Sequence, residues 1–265
     1  MRTLGLLVAV ALTTGAEASA WSLAAHHEVT QKAIDALPGA LKTFYKKHRL
    51  EMPTLAPDAR NPEHSQDRRF AIDRVVPFPF RSLPKTEADF QTRFGEDGKK
   101  LGRLPWMIRE SYDKLVAAYK TGEKDTILKE SDALASLLAD LHNPMALTDN
   151  ADGQKTDQPG LWVRFTERLP GRASNLGLDA DAAHLIDDPT AQVFAVVTGS
   201  YVWIDNILYA DDLARRYDPA YSGVYYEAFD ERAGKILRER LGWAARNVAS
   251  FWYTAWTAAG KPELR

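Results

Sequence analysis

Three features predict an all-α fold. Apolar residues recur at helical spacing in one segment after another, no useful stretch alternates apolar with polar residues, and no internal repeat or composition break divides the chain. A single helical domain over residues 21–265 is the economical arrangement. Residues 24–37 set Ala25, Val29, Ala33 and Leu37 four apart, which makes the first amphipathic helix. From Met52 to Pro84 many prolines and no sustained period predict a long loop wrapped over a helical core. Trp106, Ile108, Tyr112, Leu115 and Tyr119 mark a second helix, and Ile127, Leu134, Leu138 and Leu141 the stripe of a third. Val193–Tyr209 is apolar almost all round and is expected to lie centrally. Ile236–Trp256 is the longest clean helical pattern.

The N-terminus reads as an export signal. A basic start at Met1-Arg2, an apolar stretch from Leu4 to Thr14 and the small residues Ala18-Ser19-Ala20 predict a signal peptide over 1–20, cleaved before Trp21. A membrane anchor needs about 20 apolar residues, and this stretch is interrupted at Thr13, Thr14 and Glu17. No later run is expected to span a bilayer, so a periplasmic or secreted product follows. The chain has no Cys, so export brings no disulfide framework. A formal net charge of -2 with no long run of one sign excludes a general electrostatic grip on nucleic acid or anionic lipid.

Several polar residues exceed what a helical core needs: His26 and His27, Asp58 in the Pro-rich loop, and Asp140 on the third helix, beside His48, His64, His142 and His184. At about 100° per residue, Asp140 shares a face with Lys129, Asp132 and Ser136 opposite the leucines, so a solvated Asp is the default expectation. A helix-surface position is likewise the default for His26 and His27. Neither HExxH, nor GxSxG, nor a phosphate-binding Walker loop occurs. Asp149-Asn150-Ala151-Asp152-Gly153 has no Glu at the twelfth position of a calcium loop and reads as a turn.

A set of ordered motifs carries further information. They are W-S-L-A-A-H from Trp21, A-P-D in the loop, R-R-F-A-I-D before Arg74, L-P-W-M-I at Leu104, A-D-L-H-N-P-M-A-L-T-D-N-A-D-G-Q, G-L-W-V-R-F-T, and the ending A-W-T-A-A-G-K-P-E-L. In that order and spacing, over essentially the whole chain from Trp21, they resemble the bacterial zinc-dependent phospholipase C/P1 nuclease superfamily. The resemblance implies an all-helical fold and a centre of three zinc ions that hydrolyses phosphodiesters. One metal would take the terminal amine and carbonyl of Trp21, with His26 and the bridging Asp140. A second would share Asp140 and add Asp58, but its two histidine positions read Phe70 and Ser136. The third would use positions that here read Ala146, Trp162 and Thr166, none an ordinary zinc ligand. His64 is the nearest spare histidine in the loop.

The resemblance therefore implies a degenerate centre with Trp21, His26, Asp58 and Asp140 as its surviving metal ligands and at most one tightly bound zinc. Apolar replacements at Phe70, Ala146 and Trp162 remove the cost of burying ligands without metal. Two readings stay open. The favoured one is a non-catalytic binding or regulatory scaffold; the other is a zinc-dependent phosphodiester hydrolase with a reduced site. Phospholipid and single-stranded nucleic acid are the ligand classes the resemblance implies.

Overall fold

The computed structural model describes residues 20–52, 66–74 and 76–264. Asp58, His64 and nearly all of the expected leader lie outside them. Among the described residues the architecture is all-helical, without strands. The helices are α1 (Leu23–Ala36), α2 (Gly39–Lys47), α3 (Glu87–Lys99), α4 (Leu104–Thr121), α5 (Lys124–Leu141), the short α6 (Leu161–Val163), α7 (Pro189–Tyr201), α8 (Ile204–Tyr217), α9 (Gly223–Phe229) and α10 (Lys235–Ala258). Helix α6 runs into a π-helical turn at Arg164–Arg168, and α9 into another at Asp230–Gly234.

Local signals set the ends of these helices. Ser22 caps α1 by accepting from the Ala25 amide at 3.3 Å. Helix α4 starts with Pro105 in its first turn and stops at Gly122, whose left-handed φ of 75° only glycine adopts without cost. Asp188 caps α7 through the Ala191 amide at 3.0 Å, with Pro189 in the first helical position.

Helix α1 packs chiefly on α10 and α4 on α5, while α10 crosses both α4 and α5. Helix α5 becomes the centre of the molecule, and from Ser131 to Leu141 only Ala133 escapes full burial. One group of polar atoms in this interior is paired within itself. The Tyr45 hydroxyl meets Tyr119 at 2.6 Å and Ser131 at 2.5 Å, and the Trp252 ring stacks on Tyr45 while its Nε1 donates to the Ser131 carbonyl.

The expectation of a central Val193–Tyr209 helix is corrected. The chain turns at Val202–Trp203, and α7 and α8 lie at the periphery, with Val202 48% and Tyr209 61% exposed. One side of α7 packs on α4, α5 and the Pro144–Leu147 turn. Its outer side carries small residues, Ala195 and Gly199, whose exposure costs little. The expectation that no later run reaches the length of a membrane span is also corrected: Pro189–Tyr217 is long and apolar enough by composition, although 44% of its most apolar window is buried in the protein.

The described part of the Pro-rich region is irregular apart from a single helical turn at Ile72–Arg74. It is nonetheless pinned. The Phe70 amide donates to Ala146 O at 2.8 Å and the Ala71 amide to Leu101 O at 2.8 Å, while the Arg103 amide donates to Asp67 O at 3.0 Å. Gly102, at φ +87°, permits this approach, since a Cβ there would run into the carbonyl oxygens of Gln66 and Arg69. Residue 68 is thereby fixed against the end of α5.

Candidate functional site

Asp140 sits in the last turn of α5, where α1, the segment 20–22 and the strap 66–70 meet. Its side chain is wholly buried. The helix-face expectation of a solvated Asp140 is overturned, and with it that for its neighbours, since Ser136 and Asp132 are each only 4% exposed. A single leucine stripe assumes one buried side, whereas the last three turns of α5 are enclosed all round. Lys129, nearer the start of the helix, does reach solvent. His26 is also inside, at 4% exposure, while His27 points outward.

A buried carboxylate needs compensation, and Asp140 receives it on both oxygens. Oδ2 accepts from Arg68 Nε at 2.7 Å, with Arg68 Nη2 at 2.5 Å. Oδ1 faces His26 Nε2 at 3.2 Å and accepts from the Ala20 amide at 3.2 Å. Two N–H groups, Arg68 Nε and the Ala20 amide, thus donate to the carboxylate, with Arg68 Nη2 and His26 Nε2 at ion-pair distance. Arg68 is itself buried, and its Nη2 also donates to Ser136 Oγ at 2.6 Å.

The segment before α1 is tied to the same place. Trp21 Nε1 donates to the Ala139 carbonyl at 2.9 Å, Asn143 Nδ2 donates to the Ala20 carbonyl at 2.7 Å, and the Ser22 amide donates to the Thr166 carbonyl at 3.1 Å. The Trp21 ring is fully buried 5.4 Å from that of Phe165. Trp21, His26 and Asp140, singled out in the sequence, are therefore brought together; Asp58 lies outside the described residues. Next to Asp140, His142 is buried, and burial together with the charge of Arg240 pushes its imidazole well below the usual range. It meets the Asn247 amide at 2.8 Å as a neutral ring.

The positions at which the resemblance would expect further ligands hold other side chains. Phe70 is fully buried among Phe90 and Trp106, with ring centroids 5.6 and 5.4 Å away. Ala146 and Thr166 are wholly buried, whereas Trp162 lies at the rim, half-buried beneath the Arg69 guanidinium at 5.4 Å. Asp73, beside the strap, accepts from Thr148 Oγ1 at 2.6 Å and the Asp149 amide at 2.9 Å. Phe70→His is expected to cost about 2–4 kcal/mol, because an imidazole would enter an aromatic cluster with no polar partner. Trp162→His should cost about 1 kcal/mol or less, the scale of an exposed cation–π contact. Urea midpoints of the two variants check this, and equal costs would contradict the burial difference.

The donor set does not fit zinc as it stands. Among the described residues no group of three or more His, Cys, Asp or Glu side chains could hold a metal ion. Arg68 Nε donates to Asp140, and the guanidinium charge sits against Oδ2. Arg68 is the residue the sequence reading passed over. Its one signal was indirect: an acid in a leucine-rich helix demands a counter-charge, and Arg68-Arg69 precedes an apolar run in the loop.

A second buried network closes the far side of Thr166. Asp211 on α8 accepts from Arg164 Nε at 2.9 Å, from Gln158 Nε2 at 2.8 Å and from the Tyr225 hydroxyl. Arg164 also donates to the carbonyls of Pro159 at 2.8 Å and Gln158 at 3.1 Å. Burial works against its charge, but the Asp211 contact holds the guanidinium above its ordinary value. This network braces the turn-rich 148–160 segment, in which Asp152 caps the amides of Gly160 at 2.8 Å and Trp162 at 3.0 Å.

Fold and site together define an all-helical protein with a carboxylate–guanidinium–imidazole cluster sealed in its interior. A scan against protein-family models and a search of the curated proteins find no match to the chain.

Proposed function

We propose that this chain is an exported, degenerate member of the zinc-dependent phospholipase C/P1 nuclease superfamily that acts as a non-catalytic binding or regulatory scaffold. The observation that carries the reading is the state of Asp140. At the position of the bridging carboxylate, it is buried with the Arg68 guanidinium against Oδ2 and His26 Nε2 3.2 Å from Oδ1. Hydrolysis on such a scaffold needs metals that activate water and clamp phosphoryl oxygens together. A buried ion pair offers neither an open coordination position nor a path for substrate. The all-helical architecture and the meeting of Trp21, His26 and Asp140 support the superfamily assignment. The ligand class that goes with it is a phosphodiester, either phospholipid or single-stranded nucleic acid, bound without turnover. Periplasmic or secreted location follows from the leader segment.

The alternative, a phosphodiesterase running on a reduced zinc site, would draw on the same three converging residues. An assay separates the two. Protein beginning at Trp21, supplied with zinc, is expected to give background turnover of model diesters, single-stranded nucleic acid and phospholipid, and to retain at most one zinc per chain by elemental analysis. Zinc-dependent turnover that disappears in Asp140→Asn, or a zinc content near three, would overturn the scaffold reading.

A further inference from the structure

We infer that Arg68 is a built-in counter-cation that keeps divalent metal out of the His26–Asp140 pair, and that the same buried position becomes a site for one zinc-class cation when its guanidinium is replaced by a neutral ligand. The inference deepens the reading above and rests on its premise that the native cluster works without metal.

Geometry argues for the latent site. Two ligand atoms on a tetrahedral zinc, each at ~2.0–2.1 Å from it, lie about 3.3 Å apart. His26 Nε2 and Asp140 Oδ1 are 3.2 Å apart, which matches that ligand spacing. Imidazole nitrogen and carboxylate oxygen are the donor types such a cation takes. Both side chains are held by α1 and α5, two elements of the packed core, so the spacing does not depend on a mobile loop.

Charge argues that Arg68 is what excludes the ion. Its Nη2 lies 2.5 Å from Asp140 Oδ2 and 2.6 Å from Ser136 Oγ, inside a pocket where Asp140 and Ser136 are almost completely shielded from water. A guanidinium keeps its charge at any pH a protein survives. A dication placed between His26 and Asp140 would therefore face a fixed positive charge in a medium that screens it poorly. One resident cation already balances the carboxylate, and a second would leave the site with excess positive charge. The backbone contacts of Phe70 and Ala71 pin the strap, which holds the Arg68 backbone beside the end of α5.

The test compares Arg68→His, which removes the fixed charge and adds a nitrogen ligand, with Arg68→Lys, which keeps a charge, and Arg68→Met, which is neutral and cannot ligate zinc as imidazole does. Folding of each is checked by circular dichroism, and zinc is the probe, read by equilibrium dialysis and by the thermal midpoint with zinc against chelator. Arg68→His is expected to bind one zinc more than the parent and to gain on the order of 5 °C with saturating zinc. Adding Asp140→Asn should abolish the gain. The parent and Arg68→Lys should show no zinc-dependent shift. A folded Arg68→His that binds no more zinc than the parent overturns the inference while leaving the scaffold reading intact. Tight zinc in the parent that is lost in His26→Ala overturns the inference too, and accompanying zinc-dependent hydrolysis by the parent would show that the scaffold reading had failed as well.

Discussion

Asp140→Ala is expected to cost about 3–5 kcal/mol of folding stability, the scale for removing one partner from a buried ion pair. The carboxylate itself contributes little net energy, because dehydrating it offsets much of its attraction to Arg68. What the variant loses is compensation. Arg68, only 4% exposed, would keep Ser136 Oγ as an acceptor but no opposing charge at Asp140. The pair substituted together, Arg68→Met with Asp140→Leu, should recover most of the loss, since apolar side chains of similar volume need no counter-charge. Urea denaturation followed by circular dichroism measures all three proteins. A single Asp140→Ala variant within about 1 kcal/mol of the parent would mean that the cluster is wet or open.

Asp211→Leu is the second large effect, also about 3–5 kcal/mol. Asp211 is fully buried and accepts from three side chains on three different segments: Gln158 in the turn, Arg164 in the π-helical turn and Tyr225 on α9. Its loss would leave the Arg164 charge with two backbone carbonyls and no opposing charge. Because the groups form one network, Arg164→Met should be destabilising by a similar amount, and the double variant should cost clearly less than the sum. Additive losses in a double-mutant cycle would show that the two residues act separately. Arg164 lies in the G-L-W-V-R-F-T motif, and in this network it serves the fold.

The sequence by itself was enough to place α1, α4, α5 and α10, which all fall where the helical spacing of their apolar residues puts them. The irregular strap was legible from its prolines for the same kind of reason, since backbone constraints act locally. Helices α2, α3 and α9 left weaker traces; α2 and α9 are short, and α3 is mostly polar with a kink at Gly95. The candidate site was half legible. Trp21, His26 and Asp140 could be singled out by type and position, but a helical wheel put Asp140 in water because it treats α5 as having one buried side. Only the tertiary structure wraps that helix on every side and delivers Arg68 from 72 residues away along the chain. Helical periodicity is written in neighbours three and four residues apart, so one chain segment carries it alone. The partner of a buried charge is chosen by packing among segments distant in sequence, and nothing local to Asp140 or Arg68 records that choice.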